Sequence, residues 1–202
     1  MPEQSSSRSI RLTDPRALRA YAHPTRLALV GLLRRDGPMT ATQAAEATGE
    51  SVASCSFHLR QLAKYGLVEE AGGGRGREKP WQATTMFTSW DADIEDPAAA
   101  AATEALELAI AERYFELTAR WVQARSQEPV EWQQAAQFGD TVLHLTAAEL
   151  GELGGRIQDL VQPYLDRLDD ESKRPEGSRP ITLVHLAFPT RASTQSTQES
   201  AS

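Results

Sequence analysis

Between residues 14 and 65 the apolar positions recur at steps of three and four, interrupted only by short polar turns, which predicts a run of short helices. Asp14-Pro15 has the form of an N-cap followed by proline at the first helical position. His23-Pro24-Thr25 restarts a helix in the same way. Its Leu27, Val30, Leu32 and Leu33 face a small three-helix core, and Asp36-Gly37-Pro38 ends it. Thr40 and Gln43 fit a capping box at the head of a helix over 41–48, whose Ala44, Ala45 and Ala47 allow close helix approach. After the tight turn Thr48-Gly49-Glu50-Ser51, Val52, Cys55, Leu59 and Leu62 form the buried stripe of a further helix, which stops at Gly66. Two short helices joined by a glycine-containing turn have the form of a helix-turn-helix unit.

Beyond Gly66 the pattern changes. Residues 67–71 and 80–85 predict an antiparallel ribbon with Gly72 to Gly76 at its tip, the wing of a winged helix-turn-helix. Residues 91–97 read as an acidic linker. From Ala98 to Arg125 there is no Gly or Pro, and Ala, Glu and Leu dominate, so one long helix is expected. Leu106, Ile110, Tyr114, Leu117 and Trp121 form one stripe on it. Leu108, Phe115 and Val122 form a second at intervals of seven, suited to a partner chain. A shorter helix is expected over 129–138 and a strand over 141–145. Thr146 and Glu149 then open a capped helix to about Leu168. After a charged loop over 169–180, residues 181–186 predict a second strand, expected to pair with the first beneath that helix. The fold class is therefore mostly α (α+β): a winged helix-turn-helix domain, then a helical C-terminal region with a long helix and a small two-stranded sheet. The expected boundaries are a disordered N-terminus over 1–13, the winged domain over 14–90, a dimerisation or effector region over 91–189, and a disordered tail over 190–202.

The formal net charge of −7 conceals an asymmetry: residues 1–90 carry +4 and residues 91–202 carry −11. A basic half joined to an acidic half suggests that one meets a polyanion while the other does different work. The single cysteine, Cys55, excludes an intramolecular disulfide and points to a reducing compartment. The N-terminal MPEQSSSRS lacks a signal-peptide core, and no run approaches the roughly 20 apolar residues of a membrane span. A cytoplasmic protein with no membrane partner is expected.

The segments HPTRLALVGLL, TATQAAEATGES and SCSFHLRQLAKYGLVEE, with the GRGREKPW wing, resemble the ArsR-type winged helix-turn-helix transcriptional regulators over about residues 14–87. The resemblance implies a homodimer that binds a palindromic operator in double-stranded DNA, commonly as a repressor released by an effector. It resembles the larger, non-metal members. The metal-sensing members keep paired cysteines in the helix before the recognition helix, or Asp/His sets in the terminal helix, and neither pattern occurs here. His23, His58, His144 and His185 are scattered without metal-ligand spacing, so no metal and no cofactor is expected.

In such a unit the second helix enters the major groove and its N-terminal turns meet base edges. Ser54 and Ser56 are short enough for close approach and can bond phosphate or base. Phe57 suits a thymine methyl, or packs sideways onto the wing or the first helices. His58 is read as a partly buried hinge to phosphate. Arg60, Gln61 and Lys64 follow on the same face, with Lys64 directed to phosphate. Arg75, Arg77 and Lys79 crowd the wing tip, where arginine reaches phosphates or a narrow minor groove. Arg26 suits a phosphate or a surface carboxylate. Cys55 reads as a small core residue, with a redox switch as the alternative. Trp90, Trp121, Trp132 and Phe138 line an effector pocket or are plain core. No phosphate loop, carboxylate pair, Cys/His or Ser/His arrangement marks a catalytic site, so no enzyme is expected. The competing reading is a winged-helix module that binds another protein.

Overall fold

The structure is a computed structural model that describes residues 9–72, 79–90 and 96–190. It divides into two units, Met1–Gln137 and Phe138–Ser202.

The first unit opens with strand β1 (Ser9–Leu12), then helices α1 (Pro15–Tyr21), α2 (Pro24–Asp36), α3 (Ala41–Thr48) and α4 (Val52–Lys64). Each helix starts at the cap its sequence provides. The Asp14 side chain accepts from the Arg16 backbone, and Thr40 with Gln43 forms a complete capping box. His23 caps α2 through its ring nitrogen, and Ser51 caps α4. Gly37, Gly49 and Gly66 all take positive φ at the turns that follow α2, α3 and α4, which favours glycine there. Strands β2 (Val68–Glu70) and β3 (Trp81–Ala83) pair antiparallel, Val68 opposite Ala83, and Met39 bridges to Trp81. The core consists chiefly of Leu18, Leu29, Val30, Leu59, Leu62 and Leu67, all nearly or wholly buried. Helix α5 (Pro97–Ala124) and a short α6 (Val130–Ala135) complete the unit.

Three expectations for this unit are corrected. Residues 9–12 are not disordered: β1 pairs in parallel with β4 (Phe87–Trp90), Leu12 opposite Trp90, and Leu12 is buried. Residues 1–8 lie outside the described residues. Val52 is 47 % exposed, because it begins α4 one turn before the helix meets the core, so the buried stripe is Cys55, Leu59 and Leu62. The boundary at residue 90 does not separate α5 from the winged domain. Ala99, Ala102, Thr103 and Leu106 are buried, and α5 packs on α1.

The second unit contains one long helix, α7 (Ala147–Asp169), opened by the capping box of Thr146 and Glu149. The two-stranded sheet expected beside it is absent among the described residues. Residues 141–145 and 181–186 form no ladder and are exposed throughout. The small sheets lie instead in the first unit, and the mostly helical α+β class with a winged helix-turn-helix stands. No helix is long and apolar enough to cross a membrane among the described residues.

Candidate nucleic-acid interface

Helix α4 is held by one face and presents the other. Cys55, Leu59 and Leu62 are fully buried, and α4 packs on α3 and on α2. On the opposite face Ala53, Phe57, Arg60 and Lys64 are exposed, at steps of four, three and four. Ser54, Ser56 and Gln61 are half-buried along its margins. One surface therefore gathers Ser54, Phe57, Arg60, Gln61 and Lys64. Val52 and Ala53 belong to the exposed first turn as well. The apolar stripe misassigned Val52, and Ala53 carries no polar signal to draw notice.

Phe57 is half exposed. It meets the edge of His58, with ring centroids 5.2 Å apart. Lys64 extends beside the Tyr65 ring, 5.7 Å from its centroid. His58 differs from its neighbours: it is 9 % exposed, and its Nδ1 is buried without a hydrogen-bond partner. Its ring lies 4.6 Å from that of His23, the residue that caps α2. Burial pushes His58 below the ordinary imidazole range. His23 and Arg26 lower it further, and Glu50 opposes them. The same burial, with Arg26, depresses His23. The pair is neutral near pH 7, so His58 acts as a packing residue that turns α4 against α2 and does not carry a free charge. Arg26 is half-buried beside them, its Nε without a hydrogen-bond partner. Thr25 donates to Glu50 at 3.1 Å and ties the start of α2 to the α3–α4 turn.

The wing is less basic than its tip suggests. Arg75 and Arg77 lie outside the described residues. Lys79 donates to both carboxylate oxygens of Glu70, the nearer at 2.8 Å, and Gln82 donates to Glu69. The acidic pair Glu69-Glu70, read only as the end of a strand, thus holds one of the three wing cations.

Other arginines are structural. Arg34 donates to the Thr85 carbonyl and to Thr88 Oγ1, linking α2 to β4. Arg113 of α5 lies against Gly31, where an added Cβ would stand 2.9 Å from its guanidinium, so glycine makes that approach possible.

The family model for a helix-turn-helix domain matches residues 21–71. No curated protein matches the chain. That span runs from the end of α1 to the end of β2 and contains all of α4, so the exposed face described above belongs to a helix-turn-helix domain. The domain supports a DNA-binding regulator.

Two of the aromatics proposed for an effector pocket, Trp90 and Trp121, make contacts at separate places along α5. Trp90 donates to Glu107, and Trp121 stacks under Arg125, 5.5 Å from its ring centroid. Glu107 and Trp121 are 14 residues apart on one helix, about 21 Å along its axis. No cluster of three or more His, Cys, Asp or Glu suited to a metal ion occurs among the described residues.

Proposed function

We propose that this protein is a sequence-specific transcriptional regulator of the ArsR type, acting as a homodimeric repressor on a palindromic operator and not as an enzyme. The observation that carries the reading is the division of α4. One face is locked into the core by Cys55, Leu59 and Leu62, and the other offers Phe57, Arg60, Gln61 and Lys64 without a covering element. A rigid helix with a free face of aromatic, amide and cationic groups suits the major groove, where Gln61 and Phe57 read bases and Arg60 and Lys64 hold phosphates. Arg75, Arg77 and Lys79 of the wing add phosphate contacts. The second stripe of α5 supports two copies: Leu108, Phe115 and Val122 are 59 %, 74 % and 53 % exposed at heptad spacing. An effector that releases the DNA belongs to the same reading.

The test is a fluorescence-anisotropy titration of the full chain against duplex from its own upstream region, at several salt concentrations. Affinity should fall steeply with salt. Arg60→Ala with Lys64→Ala should weaken binding to every duplex, whereas Gln61→Ala and Phe57→Ala should chiefly reduce the preference for operator over scrambled sequence. Absence of duplex binding at low salt would turn the reading toward a module that recognises another protein.

A further inference from the structure

Twelve of the nineteen large apolar residues left exposed among the described residues lie after Gln137. Five of them sit on one short segment near the C-terminus: Ile181 70 %, Leu183 64 %, Val184 38 %, Leu186 66 % and Phe188 70 %. On the other segment Val142 is 78 % exposed, Leu143 57 % and Leu145 43 %. The two segments carry nearly the same pattern, Thr141-Val-Leu-His-Leu145 and Thr182-Leu-Val-His-Leu186. Neither has a charged residue: none occurs from Thr141 to Ala148, or from Pro180 to Thr190. Free strand edges in soluble proteins are usually blunted by lysine, bulges or cover, so two uncharged β-formers left open lack that protection. The charges of residues 138–190 fall on the helix and loops and sum to −4, which disfavours nucleic acid or an anionic membrane surface as the cover.

We propose that these two segments form a β-sheet with the same segments of a second copy of this chain, with the apolar stripe of α7 (Leu153, Ile157, Leu160 and Tyr164) covering one face. The near-repeat makes the segments mutually complementary, since each offers its partner a threonine, two branched side chains, a histidine and a leucine. A dozen large apolar side chains per copy is on the order of the ~800 Å² per partner that a standard stable interface buries. The pairing would turn the two open segments into strands of one sheet and leave His144 and His185 as cross-strand neighbours. It deepens the two-copy reading above by giving the second unit a role in it.

The experiment uses the full chain with single exposed cysteines; native Cys55 is buried and stays in place. His144→Cys, His185→Cys and the solvent-facing control Gln158→Cys are oxidised mildly, singly and as mixtures of isotope-labelled and unlabelled chains. The bridged peptides are then identified by mass, and light scattering gives the number of copies before oxidation. A disulfide requires Cα atoms within about 7 Å. Bridges between chains at 144 or 185, at least tenfold above the Gln158→Cys control, are expected in a two-copy particle. Bridges only within one chain of the 144/185 double variant would overturn the inference and restore intrachain pairing. Two copies with bridging no better than the control would overturn it too, but leave dimerisation through α5 standing. A particle of one copy removes both.

Discussion

The chain is enclosed up to Leu106 and open beyond it. Nineteen apolar side chains, from Leu12 in β1 to Leu106 in α5, form one continuous core, and no residue after Leu106 is buried among the described residues. Composition does not explain the contrast, since α7 carries a clean apolar stripe and both late segments are rich in branched residues. Up to Leu106 the apolar faces meet one another within the same chain. In the second unit, faces of the same quality are not buried among the described residues. An apolar face on a helix or segment therefore marks the capacity to be buried, and only its neighbours decide whether it is.

The sharpest way to break this contrast is to remove comparable side chains from the two regions. Leu29 is fully buried on α2, so Leu29→Ala should cost about 2–5 kcal/mol in urea unfolding. Leu160 is 73 % exposed on α7, and Leu160→Ala in the dilute chain should cost less than about 0.5 kcal/mol. Equal losses would show that the second unit has an internal core.

The same contrast runs along α5 itself. Leu106 is buried, while Phe115, nine residues on, is 74 % exposed. Phe115→Glu should leave the unfolding free energy of the dilute chain unchanged but raise the dimer dissociation constant at least tenfold, about 1.4 kcal/mol, by sedimentation equilibrium. If the variant associates as tightly as the native chain, the heptad stripe is not an interface.

What was legible in the sequence follows the same division. Caps are local chemistry, so Asp14, His23, Thr40 and Thr146 marked helix starts that the structure repeats. The stripe of α4 located the exposed face, apart from Val52, whose place in the first turn outweighs its hydrophobicity. The pairing of β1 with β4 was not legible: a parallel contact between Ser9 and Phe87 leaves no nearby turn signal, and Ser-Ile-Arg-Leu reads as part of a polar terminus. The late segments were read as strands from their branched apolar residues, and the structure assigns no strand to either. Composition marks a segment able to form a strand, but whether a neighbour pairs with it depends on contacts the local sequence does not specify. The salt bridge of Lys79 was missed for a related reason, since Glu70 faces it only once the ribbon has folded.

Within the enclosed region, His58 is the point at which acid should act. Its folded form is held neutral below the ordinary imidazole range, whereas in the unfolded chain it takes a proton near pH 6.5. Protonation therefore favours unfolding, and the stability present above pH 6.5 is lost as pH falls toward the depressed folded value. His23 acts in the same direction. Lowering the pH from 7.5 to 5.5 should reduce the melting temperature on the order of a few degrees. His58→Gln should flatten that dependence, and an unchanged profile would place the acid sensitivity elsewhere.

The smallest expected effect concerns the surface of the enclosed unit. Lys79 and Glu70 are both well exposed, so their 2.8 Å ion pair should contribute at most about 1 kcal/mol, and Glu70→Gln should scarcely move the unfolding midpoint. Its effect on DNA should be larger than on stability. The substitution removes a carboxylate that repels phosphate and releases an ammonium group beside the wing tip. Each additional phosphate neutralised steepens the dependence of log K on log salt by roughly 0.9. Glu70→Gln should therefore tighten binding at low salt and steepen that slope by up to about one, equally for operator and scrambled duplex. A slope that stays fixed while affinity rises would mean that only repulsion was relieved and that Lys79 does not reach the backbone. A slope that steepens for operator alone would make the wing a reader of sequence or groove shape, and Lys79 would then join Gln61 among the residues that set specificity.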